Sequence, residues 1–298
     1  MKRSTKTHLW FEIFMLFVLA LLWGSSYLFI KIAIVDISPI TLMAVRVSIA
    51  AMFLRSIMFW QGLVFPRDWN TWKMLFIQAI FNSIGAWTIL AWGQQHISSA
   101  LASVLNSTTP IFVFFIALFF TRHESVNMVR LFGALLGVFG VGLTVGVGAM
   151  SNIRLEVAGQ LAALFGAFLY ACAAIYGKNF SHLSAVVTSA GTMLWATICL
   201  VPLSLLMERP WEIQPSIETI GATLILAIFC TGFALLIYFR LVKTLGPMGV
   251  ASQAYLRASV GLLLGVVFLG EQISLVAGLG IVATILSVVV INMSKKSS

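Results

Sequence analysis

Apolar runs of about twenty residues recur from one end of this chain to the other, and each is long enough to cross a hydrocarbon core, which takes roughly 17–25 residues of helix. Inside lipid every backbone N–H and C=O must find its partner within the protein, so such a run has to be helical. Bounded by charge, proline or polar clusters, the runs fall at 11–34, 38–60, 72–93, 97–120 and 128–148, then at 157–178, 185–207, 217–242, 247–269 and 273–292. Each gap holds a breaker or a charge, among them Asp36 to Pro39, Pro66 to Asp68, Arg122 to Glu124 and Gly246-Pro247. The expectation is an all-α integral membrane protein with ten transmembrane helices.

Composition agrees. Of 298 residues 60% are hydrophobic and only 9% charged, whereas soluble domains carry about a quarter charged residues. The net charge of +9 does not point to nucleic acid, because the basic residues stand singly between apolar runs and form no stripe. It reads as topology instead. With the N-terminus in the cytoplasm, Lys2, Arg3, Lys6, Arg67, Lys73, Arg122, Arg130, Lys178, Arg240, Lys243, Lys295 and Lys296 fall inside, against Arg154 and Arg209 outside. Both termini are then cytoplasmic, in the cell (inner) membrane. The first run has a basic flank like a signal peptide but no small-residue cleavage site, so it counts as a helix. Cys172, Cys199 and Cys230 lie far apart in apolar runs and suggest neither a disulfide framework nor a metal site.

The two halves echo each other. Leu-Ala-Leu-Leu-Trp-Gly at 19–24 matches Leu-Ala-Ala-Leu-Phe-Gly at 161–166, and Ala102-Ser103 matches Ala251-Ser252. Five crossings reverse direction, so residues 11–148 and 157–292 form two five-helix repeats of opposite orientation, an architecture common among secondary transporters. Leu22-Trp23-Gly24-Ser25-Ser26 followed by Lys31, Arg46 with Ala50-Ala51, Ala100 to Pro110, Gly133 to Gly142 and Gly270-Glu271 together resemble the EamA-type family of the drug/metabolite transporter superfamily. That resemblance implies a ten-helix carrier of small organic metabolites, with amino-acid export, of the aromatic amino-acid exporter type, as the leading task. One position departs from the family pattern: Ser259 stands where a proline matching Pro110 is common.

Charge at membrane depth is costly and often functional. Arg257, about 12–15 Å along its helix at 1.5 Å per residue, is placed to hold a substrate carboxylate through a forked hydrogen bond, or else to stabilise packing. Lys31 can snorkel to the interface, and Arg46 can serve structure by pairing with Asp36 or helix-end carbonyls. A cavity wall is expected from Trp23 and Tyr27 on one helix face, Asn82 beside Gln78, and Ser103 and Asn106 leading to Pro110, whose missing N–H frees a carbonyl and offers a pivot. Gln253 and Tyr255 join Arg257 as the matching stripe of the second half. Such polar residues also glue helices together, and the glycines Gly133, Gly137, Gly140 and Gly142 are expected to permit close packing.

No carboxylate is placed deep in a run, so the usual proton relay has no candidate and facilitative movement is expected. Nothing calls for a cofactor or metal. An intramembrane enzyme should show a nucleophile with its base or a carboxylate pair at depth, and none appears. A receptor or scaffold remains the other alternative; within transport, sugars, nucleotides and cationic drugs stay open. The partners implied are a small-molecule substrate, foremost an amino acid, and the lipid bilayer; the oligomeric state stays open, a monomer being compatible.

Overall fold

Ser or Asp stands immediately before three of the helices and caps its first turn: Asp68 accepts from the Thr71 amide at 2.8 Å, Ser184 from Val187 at 3.2 Å and Ser216 from Thr219 at 3.3 Å. These caps set element starts in a computed structural model that describes residues 3–97, 102, 105–120, 128–145, 153–257, 259–260 and 275–293. The helices are α1 (Arg3–Ala33), α2 (Pro39–Trp60), α3 (Trp69–His96), α4 (Thr109–Phe120), α5 (Met128–Val145), α6 (Ile153–Tyr176), α7 (Ala185–Met207), α8 (Ile217–Ala251) and α9 (Leu275–Met293). The described residues contain no strand, so the fold is all-α. Six segments are long and apolar enough to cross a membrane: Leu9–Ala33, Pro39–Trp60, Trp69–His96, Val157–Phe180, Ala185–Met207 and Ile217–Ala251.

Two of these helices are wound wide at matching places. In α3 an eleven-residue α segment, Trp69–Ala79, passes into a π segment, Ile80–Ala86; in α8 an eleven-residue segment, Ile217–Ala227, passes into the π segment Ile228–Phe233. Wide turns of this kind leave side chains and carbonyls off the regular ladder and are frequent at functional sites. Near the other end of α8, Gly246 at φ 77° takes a left-handed conformation before Pro247, which bends the chain at the break seen in the sequence.

Helix pairing is orderly. α2 packs along α7, α5 along α9, α3 against α6, and α1 against α8. At one end of the bundle the carboxylate of Glu208, which closes α7, accepts from Ile40 N at 3.2 Å and from Thr41 N and Oγ1 at 2.6 and 2.8 Å at the start of α2. At the same end Asp36, after α1, accepts from Ser216 N and Oγ and from Thr219 Oγ1 at the start of α8. The Ser216 amide, with the Thr219 and Ser216 hydroxyls, holds the Asp36 carboxyl below its ordinary 3.8. That contact therefore adds stability above the ordinary value and loses it only as pH falls through the lowered one. Asp36 is thus engaged by α8 and does not pair with Arg46, as the sequence allowed.

The glycine stripe of α5 divides. A Cβ at Gly140 would stand 2.9 Å from the Gly280 carbonyl and from the Thr284 amide nitrogen, backbone atoms that cannot swing aside, and one at Gly137 would stand 2.5 Å from the Tyr255 ring. Gly133 likewise faces Ile291 and Val290 of α9, whereas a Cβ at Gly142 would meet nothing within 4 Å among the described residues. Gly140→Ala is therefore expected to cost about 1–3 kcal/mol by overpacking the α5–α9 seam. Gly142→Ala should instead gain up to about 1 kcal/mol of helix propensity. Thermal unfolding in detergent measures both; equal melting temperatures for the two variants would contradict this packing.

Candidate functional site

Four helices and the turns 253–257 surround a small cavity lined by Trp23, Ser26, Tyr27 and Ile30 of α1, Arg46 of α2, Trp87, Leu90 and Gln94 of α3, Tyr170 of α6, and Arg257. Its volume is about 20 Å³, room for roughly one water molecule. Gly24 lets the Arg257 segment lie against α1, since a Cβ there would come within 2.8 Å of Val260 and 3.2 Å of the Arg257 carbonyl.

Both guanidiniums are almost fully buried, Arg46 at 3% and Arg257 at 4% exposure. Arg46 donates from Nε to Thr231 Oγ1 at 2.6 Å and lies 4.0 Å from the centre of the Trp87 ring. Thr231 sits in the wide turn of α8, where its hydroxyl also reaches the Leu226 carbonyl at 2.8 Å. In α3 the corresponding turn needs Gly85, because a Cβ there would meet the Ile80 carbonyl at 2.6 Å. Arg257 donates from Nε to Gln253 Oε1 at 2.8 Å and lies 4.9 Å from Trp23 and 5.4 Å from Tyr170. Among the described residues no carboxylate pairs with either cation, and none lines the cavity. A cation at membrane depth costs roughly 2.5–3.5 kcal/mol on insertion scales. A desolvated cation–π contact returns about 2 kcal/mol or more, so the rings offset much of that cost without supplying a negative charge.

Two further polar groups on the wall have no partner among the described residues: the Trp23 indole N–H and both polar atoms of the Gln94 amide. Buried groups of this kind usually cost about 1–3 kcal/mol each when unsatisfied. Tyr27 is held by Asn106, whose Nδ2 donates to its hydroxyl at 2.8 Å. Asn106 is itself positioned by Pro110: the carbonyl that the proline cannot bond accepts from the Thr109 hydroxyl at 2.7 Å.

Trp23, Tyr27 and Arg257 thus line one cavity, with Gln253 and Asn106 directly behind it. Tyr255 lies elsewhere: its ring fills the notch at Gly137 and its hydroxyl donates to the Ala134 carbonyl of α5. Asn82 is fully buried in the α3 wide turn with neither amide atom bonded among the described residues, but it is not on this cavity wall. Ser103 falls outside the described residues. Arg46, Trp87, Gln94 and Tyr170 line the cavity although the sequence reading passed over them as wall residues. Arg46 alone carried a signal there, as a charge in an apolar run.

At the opposite end of the bundle from Glu208 lies a second, wider cavity of about 610 Å³, with Lys178, Arg240 and Lys243 on its wall beside Ser184, Phe180 and Phe239. Arg240 pairs with Glu12 at 2.9 Å, and Thr244 donates to the same carboxylate at 3.0 Å. Glu12 is 6% exposed, so the chain does bury one carboxylate inside a helix, because α1 begins well before the apolar run and carries it three turns in. Between the two cavities runs a chain of rings: Phe180 to Phe239 at 6.4 Å, Phe239 to Tyr238 at 5.1 Å, and Tyr238 to Trp23 at 5.4 Å. These rings stand between the central cavity and the wide one.

This architecture has known relatives. The EamA-like transporter family matches residues 10–146 and again 157–293, and the chain belongs to that family: it is a membrane transporter. It is similar to the uncharacterized transporter YoaV of Bacillus subtilis (strain 168), 25% identical over 256 residues, covering 86% of this chain and 87% of that protein. It is similar also to the uncharacterized inner membrane transporter YedA of Escherichia coli (strain K12), 25% identical over 281 residues, 94% and 90% of the two chains. Protein PagO of Salmonella typhimurium (strain LT2) is 28% identical over 245 residues, covering 77% and 76%. A solved structure described as "Crystal structure of protein" superposes with a TM-score of 0.80 at 19% identity, covering 96% of this chain and 99% of that one, which shows a shared fold.

Proposed function

We propose that the chain is a facilitative exporter of amino acids, neutral and aromatic ones foremost, working by alternating access around the central cavity. The observation that carries this reading is the pair of buried guanidiniums on an aromatic wall with no carboxylate beside them among the described residues. A substrate carboxylate supplies the missing charge through forked hydrogen bonds, and Trp23, Trp87 and Tyr170 offer apolar surface to a side chain.

The architecture proposed is ten crossings in two inverted repeats, 11–148 and 157–292, with both termini cytoplasmic. It is supported by the paired wide turns of α3 and α8 and by helix partners that exchange between halves, α3 with α6 and α8 with α1. On the Lys/Arg bias the wide cavity opens to the cytoplasm, and the Asp36 and Glu208 contacts close the outer end. Substrate enters past Lys243 and Arg240, and the rings Phe239 and Tyr238 part to admit it. Gln78, Asn82 and Ser83 of α3 are fully buried and each has a polar atom with no partner among the described residues.

Counterflow into preloaded proteoliposomes with a panel of labelled amino acids tests the reading. Exchange of at least one neutral or aromatic amino acid is expected. A panel in which no amino acid moves while a sugar, nucleotide or cationic drug does would overturn it.

A further inference from the structure

The polar side chains on the wall of the central cavity are lopsided in the hydrogen bonds they offer. Arg46 and Arg257 each commit Nε to a neutral oxygen, Thr231 Oγ1 and Gln253 Oε1, and among the described residues no carboxylate pairs with their terminal nitrogens. Among the described residues Trp23 Nε1 is a donor with no acceptor, and Gln94 brings an unbonded NH₂. The Tyr27 hydroxyl accepts from Asn106 and so keeps its own hydrogen to donate. Against these stand few acceptors: the Gln94 Oε1, the Tyr170 hydroxyl oxygen, which already meets Arg257, and the lone pairs of Ser26, whose hydroxyl is given to the Trp23 carbonyl at 2.6 Å. A wall rich in donors and carrying two positive charges calls for a ligand rich in acceptors and negative in charge.

An ammonium meets the reverse. Three of the four aromatic rings on the wall already carry a cation, Trp87 that of Arg46 and Trp23 and Tyr170 that of Arg257, which leaves Tyr27. The ammonium would bring donors to donors, and positive charge to positive charge, in a site closed to water.

We infer that the central cavity, once the bundle widens it beyond the one-water volume it has here, is a seat for a small organic anion, gripped by Arg46 and Arg257 together, and that an α-ammonium group adds nothing to recognition there. This rests on the cavity being the transport site, and it makes Arg46 a second binding residue. Relatives of an amino acid that lack the amine, such as aryl-substituted carboxylic acids, should bind at least as well as the amino acid.

The test uses the unmodified full-length protein with three ligands that share one ring: phenylalanine, 3-phenylpropionate and phenethylamine. Binding is read by thermal stabilisation in detergent, and transport by counterflow in proteoliposomes. The acid is expected to half-saturate at a concentration no higher than phenylalanine requires, and the amine at one more than tenfold higher. Phenylalanine and the amine acting while the acid is inert, or the amine matching the acid, overturns the inference and leaves amino-acid transport standing. The acid acting without phenylalanine sustains the inference and removes the amino-acid reading. Silence from all three removes both.

Discussion

Arg257→Ala is expected to lower the transport efficiency for a carboxylate substrate by roughly 30- to 140-fold, the equivalent of about 2–3 kcal/mol at 1.4 kcal/mol per tenfold. The estimate counts the charge-assisted hydrogen bonds that the guanidinium makes to an ionised group in a site shut from water. Arg257→Lys should recover only part, since an ammonium keeps the charge but not the fork, and it stacks less well on Trp23 and Tyr170. Counterflow rates as a function of substrate concentration measure this, with thermal unfolding to verify that each variant is folded. An alanine variant that is folded and half-saturates where the parent does would remove Arg257 from the binding site.

The second large effect concerns the closed end. Glu208 holds the first turn of α2 through two backbone amides and a hydroxyl, and Thr41 Oγ1 also meets Ser204 Oγ at 2.8 Å, so α7 and α2 are bolted where the bundle is shut. An exit toward that side requires the bolt to break. Glu208→Ala removes it, at about 1–2 kcal/mol once the charged hydrogen bonds are discounted for a half-exposed carboxylate. That shifts a closed-to-open equilibrium by about 5- to 30-fold. The readout is labelling of Ile30→Cys, a cavity-wall position, by an impermeant maleimide in a chain whose Cys172, Cys199 and Cys230 are replaced by alanine. Labelling from the Glu208 side should accelerate by that factor. An unchanged rate would show that Glu208 merely caps α2 and takes no part in gating.

Much of the fold could be read from the chain because the bilayer imposes strong local rules. Apolar runs, the turn at Asp36 to Pro39 and the break at Gly246-Pro247 each follow from a residue and its immediate neighbours. The wide turns did not show, since a π segment depends on a Gly85 that tolerates the Ile80 carbonyl and on contacts made by other helices. The site was legible only in part, for the same reason. Arg257 stood out because a charge within an apolar run must be satisfied by something. Trp87, Gln94 and Tyr170 did not, because their role depends on which cation lies over which ring, and those partners come from α2 and the turns 253–257. Tyr255 shares a helical stripe with polar neighbours, but spacing cannot tell a cavity from a neighbouring helix, and its neighbour is the notch at Gly137. Glu12 stands at the edge of an apolar run in the sequence, yet it lies well inside α1, where Arg240 reaches it.

The measurement closest to the heart of this account is an experimental structure of the protein with a transported carboxylate bound. The expected result is a carboxylate oxygen at about 3 Å from a guanidinium nitrogen of Arg46 or Arg257, with Trp23 or Trp87 against the ligand's apolar part. A ligand found only in the wide cavity beside Arg240 and Lys243, with the space between the two arginines unchanged, would contradict it.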